Sequence, residues 1–176
     1  MILKGKDIFL RPITENDATE EYVAWLNDKE VNQFLESRFI LASVCNVKKF
    51  IVETNINELN YFFAICLNSN NKHIGNIKLG PINHHHKRGD IGLMIGDKNQ
   101  WGKGYATQAI ELISEYALDF LKLNKVTAGC YSNNKGSEKS FLKNNFVIEG
   151  IFKKHFIDAK GLWVDLISLS KLNNVD

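Results

Sequence analysis

The stretch Ile91-Gly-Leu-Met-Ile-Gly-Asp-Lys-Asn-Gln-Trp-Gly-Lys-Gly-Tyr-Ala-Thr107 decides the fold of this chain. It begins within the apolar run Asp90–Gly96, which is typical of a strand, and it ends in a loop with two glycines. From Gly104 to Leu121 apolar side chains recur at helical spacing, which predicts an amphipathic helix of about five turns. A buried strand at Lys125–Tyr131 comes next, and the order strand, helix, strand indicates a crossover between parallel strands.

Hairpins and helices are predicted on both sides of this crossover. Alternating apolar and polar residues predict strands at Lys6–Ile13, Tyr61–Leu67, His73–Gly80, Phe146–Phe156 and Leu162–Leu172. Helical spacing predicts helices from Thr14 to Leu26, through Val31–Leu35, from Ser43 to about Ile56, and at Asn134–Lys143. The predicted fold class is therefore α+β: a mixed, largely antiparallel sheet flanked by helices, in one domain over residues 1–176.

Composition excludes several classes of protein. The 176 residues include 22 basic and 20 acidic side chains, a net charge of +2, and 44% are apolar. A disordered chain would be poorer in apolar residues, and a general nucleic-acid binder would need a concentrated basic surface. No apolar run is long enough for a membrane helix, and the three cysteines show no metal-ligand spacing. We therefore expect no nucleic acid, membrane or metal partner, and a cytoplasmic location with reduced thiols.

The loop Trp101–Thr107 has the composition of an anion site at a helix entrance. Its small residues let the backbone approach a ligand, while the free N–H groups and dipole of the first helical turn attract negative charge. Lys103 adds a positive charge. A P-loop is excluded because Gly104 follows that lysine, and a dinucleotide fingerprint is excluded because Thr107 stands at its third glycine position. The alternative is a loop that only turns the chain.

These residues resemble the GNAT superfamily of acetyl-CoA-dependent N-acetyltransferases. The family's pyrophosphate loop, Gln/Arg-x-x-Gly-x-Gly/Ala, is similar to Trp101-Gly-Lys-Gly-Tyr-Ala106. A Trp at the first position resembles the branch that contains the ribosomal-protein N-terminal acetyltransferases. Three further blocks in the family's order resemble that pattern: Leu10–Ala18, Trp25–Val31 and Asn134–Gly150.

The resemblance implies that acetyl-CoA donates the acetyl group and that a primary amine attacks its thioester directly in a ternary complex. It also implies that the fourth and fifth predicted strands splay apart, and Gly92 is consistent with a bulge that opens the sheet. Asn134 matches a position that commonly binds the cofactor arm, with a plain helix cap as its alternative. The cofactor-binding residues implied are Met94, Ile95, Trp101, Gly102, Lys103, Gly104, Tyr105, Ala106, Thr107, Asn134 and Phe141.

The catalytic residues are less certain, because the sequence departs from the family pattern. Phe141 stands where many members have a Tyr that protonates the leaving thiolate. Tyr131 or a water molecule would take that role here, or the thiolate would leave unaided, which its pKa near 8.5 in the free state tolerates. Asp90 is the candidate general base because relatives often carry an acid at the start of this strand. The alternative to a catalytic role for Asp90 is a solvated carboxylate at the end of the strand.

Four charged residues are candidates for binding the acceptor. In the family's arrangement Glu36 and Arg38 flank the acceptor cleft, and His84 and Arg88 belong to the one dense cationic cluster. That cluster favours a small amine, such as an amino sugar carried on a nucleotide, and a solvated loop is its alternative. A (ribosomal) protein N-terminus is the alternative acceptor, and a non-catalytic CoA-binding module is the alternative of another class. A homodimer is left open.

Overall fold

One eight-stranded sheet organises the protein, in a computed structural model that describes residues 1–173. The strands are β1 Leu3–Lys4, β2 Ile8–Pro12, β3 Tyr61–Leu67, β4 His73–Leu79, β5 Arg88–Ile95, β6 Lys125–Tyr131, β7 Val147–Ile157 and β8 Trp163–Leu172. Their spatial order is β1-β2-β3-β4-β5-β6-β8-β7. Every neighbouring pair is antiparallel except β5 and β6, which are parallel. The predicted α+β class with a mixed, largely antiparallel sheet is confirmed.

Five helices and three short 3-10 turns connect the strands. The helices are α1 Glu20–Asn27, α2 Lys29–Asn32, α3 Val44–Ile56, α4 Tyr105–Glu115 and α5 Lys135–Leu142. The 3-10 turns are Glu15–Asp17, Glu36–Phe39 and Lys98–Gln100, and a π-helical turn, Tyr116–Phe120, continues α4. No helix in the described residues is long and apolar enough to cross a membrane.

The helices cover both faces of the sheet, as predicted. One apolar core lies under α4, where Ile110 and Ile113 are completely buried. A second core lies under α1 and α3, where Trp25 and Ile51 are buried. Each Å² of apolar surface that is buried contributes about 25 cal/mol of stabilisation, and this holds the helices on both faces to the sheet.

The chain before α1 differs from the prediction of a helix that begins at Thr14. Arg11 donates two hydrogen bonds of 2.6 and 2.8 Å to the Asp17 carboxylate, which also accepts one from the Thr14 backbone N–H. These hydrogen bonds hold the Glu15–Asp17 segment in a short 3-10 turn. The true helix therefore begins at Glu20, with Thr19 as its N-cap.

The parallel pair β5 and β6 is short, and this shapes the whole molecule. The two strands pair only from Arg88–Asp90 to Lys125–Thr127. Beyond Asp90, β5 continues along β4 while β6 continues along β8, so the strands diverge. The splay implied by the family resemblance is therefore present. The prediction of a bulge at Gly92 is wrong, because the β4–β5 register is regular there. The strands diverge because β5 follows β4 and β6 follows β8.

Candidate active site

A cavity of about 680 Å³ lies where β5 and β6 diverge. Its walls come from the end of β5, the loop and first turn that begin α4, the end of β6, helix α5 and the segment between α2 and the Glu36 turn. Gly92 faces open space in this cavity. A Cβ added at this position would have no heavy atom within 4 Å. One end of the cavity is mainly backbone and the other is mainly side chains.

The backbone end is the glycine loop before α4. Gly102 and Gly104 have φ angles of 76° and 82°, a left-handed conformation that side chains with a Cβ rarely adopt. Gly104 is the N-cap of α4 and offers no side chain to the helix. The first-turn N–H groups of Tyr105, Ala106 and Thr107 therefore stay free beside the cavity, and the helix dipole adds partial positive charge. The loop therefore has the backbone geometry that the predicted anion site requires.

Side chains hold that loop in place in a way that the sequence did not reveal. The indole Nε1 of Trp101 donates a 2.8 Å hydrogen bond to the carbonyl oxygen of Ile95, the last residue of β5. Lys103 Nζ donates to Gln100 Oε1 at 3.0 Å. The Trp at the first motif position thus fastens the loop to the strand on which the cavity opens.

Asn134 and Phe141 lie on the α5 wall of the cavity. Asn134 Oδ1 accepts a 3.1 Å hydrogen bond from the Ser137 backbone N–H, so the residue serves as a helix cap and also faces the cavity. Phe141 is 1% exposed and meets the Phe146 ring edge-on. Cys130 also lines the cavity, and burial raises the pKa of its thiol to about 11, so this thiol is neutral at physiological pH.

At the side-chain end of the cavity Tyr131, predicted as a possible acid, contacts Glu36 and Arg38, which were predicted together beside the acceptor. The Tyr131 hydroxyl donates a 2.5 Å hydrogen bond to Glu36 Oε1 and accepts one of 2.6 Å from Arg38 Nη1. The Tyr131 ring stacks on Phe156 of β7, with centroids 4.1 Å apart and planes 9° apart. Sequence reasoning missed Phe156 because its place depends on the β7–β8 hairpin, which carries no motif of its own.

The environment of Tyr131 keeps its hydroxyl protonated. Burial raises the pKa of Tyr131, the hydrogen bond to Glu36 raises it further, and the hydrogen bond from Arg38 opposes both. The hydroxyl can therefore act as a hydrogen-bond donor across the neutral range. In this arrangement its proton points at Glu36.

Arg38 differs from the prediction that it contacts the acceptor. Its side chain is 9% exposed, and its guanidinium also donates to the carbonyl oxygens of Leu35 at 3.1 Å and Ile157 at 2.5 Å. Three of its five N–H donors are bonded to protein oxygens, and Arg38 does not line the cavity but lies behind its wall.

Asp90, His84 and Arg88 do not line the cavity. Arg88 begins β5 and His84 lies in the preceding loop, whereas the cavity opens at the other end of that strand. The placement of His84 and Arg88 beside the acceptor is corrected for this reason. Asp90 is the last residue of β5 that pairs with β6, and its Oδ1 accepts a 2.8 Å hydrogen bond from the Thr127 hydroxyl.

Asp90 nevertheless has an altered acidity. Desolvation raises the pKa of Asp90, although much of the side chain is accessible to solvent. The Thr127 hydrogen bond and the charges of Lys78 and Arg88 oppose the rise.

Within residues 1–173 no group of three or more His, Cys, Asp or Glu side chains could hold a metal ion.

Comparison with known proteins agrees with this geometry. The sequence model of the acetyltransferase (GNAT) domain matches residues 7–147. The chain belongs to the GNAT acetyltransferase family. It is an N-acetyltransferase whose acetyl donor is acetyl-CoA.

Relatives of this GNAT protein extend over its whole length. The probable N-acetyltransferase YjcK of Bacillus subtilis (strain 168) is 33% identical over 187 aligned positions, which cover 99% of each chain. The structure of RimL, a ribosomal L7/L12 alpha-N-protein acetyltransferase in complex with coenzyme A, has a TM-score of 0.88 at 17% identity and covers 100% of each chain. Spermidine N-acetyltransferase from Vibrio cholerae, in complex with CoA and spermine, has a TM-score of 0.85 at 19% identity, with 96% and 97% of the two chains covered.

Proposed function

We propose that this enzyme acetylates a primary amine that carries positive charge, and that the amine binds at Glu36. The observation that carries the proposal is the placement of this carboxylate in the cavity wall, with its side chain 67% exposed. Tyr131 anchors Oε1, while Oε2 has no hydrogen-bond partner among the described residues. A carboxylate oxygen open to the cavity attracts an ammonium group and repels an anionic acceptor.

The opposite end of the cavity is proposed to hold the cofactor. The N–H groups of Tyr105, Ala106 and Thr107 would bind the pyrophosphate. Lys103, predicted to bind the cofactor, does not line the cavity, and its Nζ donates to Gln100, so it would contribute only a neighbouring charge. Acetyl-CoA supplies the thioester carbon that the amine attacks. The open space over Gly92, Gly102 and Gly104 supports this assignment, since a cofactor arm needs close approach to backbone.

The pantetheine arm and the cap of α5 complete the proposed cofactor site. The backbone of Met94 and Ile95 lines the cavity beyond the point where β5 leaves β6, so it can pair with the pantetheine amides as an added strand would. Asn134 and Phe141 face the same space. Trp101 contributes by holding the loop on the Ile95 carbonyl.

A small polyamine is the first candidate acceptor. It has several ammonium groups, and one structural neighbour is a spermidine N-acetyltransferase. A protein N-terminus is the second candidate, favoured by the exposed apolar run Phe39-Ile40-Leu41 that follows the Glu36–Arg38 turn. The preference for an amino sugar on a nucleotide loses one of its supports, because it rested in part on the cationic residues His84 and Arg88, which lie away from the cavity.

Two groups are proposed to move protons. Asp90 remains the proposed base, with its pKa raised toward the neutral range where a base works well. Because Asp90 does not line the cavity, the amine's proton would have to reach it through water. Tyr131 remains the proposed acid for the leaving thiolate, provided that its proton turns away from Glu36.

An acetyl-CoA thiol-release assay across an amine panel tests this function. Spermidine, peptides with free N-termini and a nucleotide-linked amino sugar form the panel. We expect turnover with spermidine or a peptide, and an about tenfold higher KM for that amine in Glu36→Gln with the KM of acetyl-CoA unchanged. Glu53→Gln, an exposed carboxylate of α3 paired with Lys49, is the matched control.

Three results would contradict the proposal. Turnover confined to the nucleotide-linked amino sugar would refute a cationic acceptor. Stabilisation by acetyl-CoA, about 2.7 kcal/mol at 100 times the dissociation constant, with no CoA release for any amine would identify a non-catalytic CoA-binding module. Unchanged turnover of Asp90→Asn at saturating amine would remove Asp90 as the base.

A further inference from the structure

Arg38 is a largely buried arginine directly behind the Glu36 wall of the cavity, which is an unusual place for a charged side chain. Burying a guanidinium is costly unless its donors are satisfied and its charge is neutralised. The carboxylate nearest to Arg38 is Glu36 Oε1, 3.9 Å away, on a side chain that is largely in solvent. Arg38 instead donates to oxygens from three separate parts of the chain, namely Leu35, Tyr131 and Ile157.

The direction of the hydrogen bonds follows from the chemistry of the three groups. A guanidinium can only donate, so the Tyr131 oxygen must accept from Arg38. The single phenolic proton is then free to be donated to Glu36 Oε1, which can only accept when ionised. The chain of bonds from Arg38 through Tyr131 to Glu36 therefore has one direction, and reversing either bond would break it.

We propose that Arg38 is a positioning residue for the acceptor amine, acting through Tyr131 to hold the Glu36 carboxylate in the cavity. The inference rests on the proposed function, since it takes Glu36 as the group that binds the amine. Arg38 fixes the Tyr131 hydroxyl, and that hydroxyl fixes Oε1. The second oxygen, Oε2, is thereby left facing the acceptor without a protein partner in residues 1–173.

The surroundings of Arg38 support a positioning role. Its guanidinium carbon lies 4.3 Å from the Phe39 ring centroid and 5.3 Å from that of Tyr131, within the range of a cation–π contact with each ring. Its bond to the Ile157 carbonyl ties the Glu36 turn to the end of β7. Without this clamp, a Glu36 side chain that is 67% exposed would sample many rotamers.

Binding and kinetics of Arg38→Met, Tyr131→Phe and the double variant test the proposal. We expect each single variant to raise the KM of the amine and its dissociation constant from the CoA-loaded enzyme about tenfold. The KM of acetyl-CoA should stay unchanged. The double variant should bind no more weakly than Tyr131→Phe alone, because Arg38 acts through that hydroxyl. Arg38→Lys, which can still donate to Tyr131, should recover part of the loss.

Arg11→Met is the matched control, because Arg11 is the other partly buried arginine with hydrogen bonds to protein oxygens, and it lies outside the cavity. It should lower the melting temperature without changing the amine KM. If Arg38→Met does not fold, Tyr131→Phe carries the test, since it keeps the ring stacked on Phe156 and should not weaken binding further when combined with Glu36→Gln.

Separate outcomes overturn the two proposals. If the wild-type protein binds and acetylates no amine in the panel, the proposed function fails. If the wild type binds the amine but Arg38→Met binds it equally well, the positioning role fails while the function stands. Additive losses in the double variant, or equal losses for amine and acetyl-CoA, would also refute action through Tyr131.

Discussion

The two ends of the cavity are built by different means. The end proposed for the cofactor, called the cofactor end, is mainly main-chain groups of one stretch, in which Gly102 and Gly104 allow the chain to enter α4 without a side-chain cap. Asn134 and Phe141 of α5 complete it. The acceptor end consists of side chains that meet across the fold: Glu36 and Tyr131 are 95 residues apart, and Arg38 and Ile157 are 119 apart. A main-chain site depends on local conformation, whereas a side-chain site depends on the packing of the elements that bring it together.

The difference predicts which changes each end tolerates. Most side-chain substitutions should spare the cofactor end as long as the glycine conformations remain. At the acceptor end a single side chain can be lost without any effect on the backbone. Three substitutions test this division, from the largest expected effect to the smallest, and a fourth tests stability away from both ends.

Gly104→Val should have the largest effect and should act on the cofactor end alone. At φ 82° an L-residue is strained by about 1–2 kcal/mol or more, although the added atoms meet open space. We expect the affinity for acetyl-CoA, measured by calorimetry, to fall about 10- to 30-fold. Gly161→Val, at φ 80° in the β7–β8 turn, is the control with equal strain and no expected change in affinity. Equal losses in both variants would mean that strain acts through global stability.

Phe156→Leu should affect the acceptor end alone. It removes the ring that stacks on Tyr131, and such aromatic pairs contribute about 0.5–1.5 kcal/mol beyond area burial. Steady-state kinetics should show an about fivefold rise in the KM of the amine. Phe152→Leu, on the same strand but 53% exposed, should behave like the wild type. A rise in the KM of acetyl-CoA instead would break the division between the two ends.

Trp101→Phe tests the side-chain bond at the cofactor end. The substitution keeps an aromatic ring but removes the N–H that donates to the Ile95 carbonyl, a bond with a typical contribution of about 1 kcal/mol. Acetyl-CoA should bind about three- to fivefold more weakly. Trp163→Phe, an exposed Trp on β8, is the control. No change in Trp101→Phe would show that the glycine loop holds its shape unaided.

Asp97→Asn should have the smallest effect, on stability. Desolvation opposes ionisation of this buried carboxylate, but hydrogen bonds from Lys72 at 2.8 Å and the Asn99 backbone at 3.0 Å prevail and lower the pKa of Asp97. A lowered pKa stabilises the fold above the unfolded value near 3.9, and that stabilisation is lost as the pH falls through the folded value. At pH 7 we expect a melting temperature about 2–4 °C lower, for a loss of about 1 kcal/mol.

The pH series provides the check on Asp97. The difference between wild type and Asp97→Asn should shrink steadily below pH 4 and not above it. Asp119→Asn, which replaces an exposed carboxylate after α4, is the control for the removal of one negative charge. A difference that is constant from pH 3 to pH 7 would mean that the charge of Asp97 does not contribute.

Local patterns in the sequence predicted the elements well, together with the glycine loop that begins α4. The strands Tyr61–Leu67 and Lys125–Tyr131 have the predicted bounds, and Ser43 caps α3 where expected. These features depend on near neighbours: alternation, helical spacing and capping side chains. The loop Trp101–Thr107 was found for the same reason, because a glycine requirement is a property of one position.

Long-range features could not be predicted in the same way. The bonds that turn Arg38 away from the cavity require β6 and the β7–β8 hairpin to lie beside the Glu36 turn. Strand direction could have corrected the placement of His84 and Arg88. In a crossover between parallel strands the opening lies at the carboxyl ends, whereas His84 precedes β5 and Arg88 begins it.

The short parallel ladder between β5 and β6 has a consequence for how this scaffold can vary. Only three residue pairs, Arg88–Lys125, Gly89–Val126 and Asp90–Thr127, join the two halves of the sheet. Each half is otherwise completed by its own antiparallel partners. A change of length or sequence in the β7–β8 hairpin can therefore move the acceptor wall without altering the β4–β5 register that supports the cofactor loop. The walls proposed for the donor and for the acceptor thus belong to two halves of the sheet that can vary in sequence independently of each other, joined by three residue pairs.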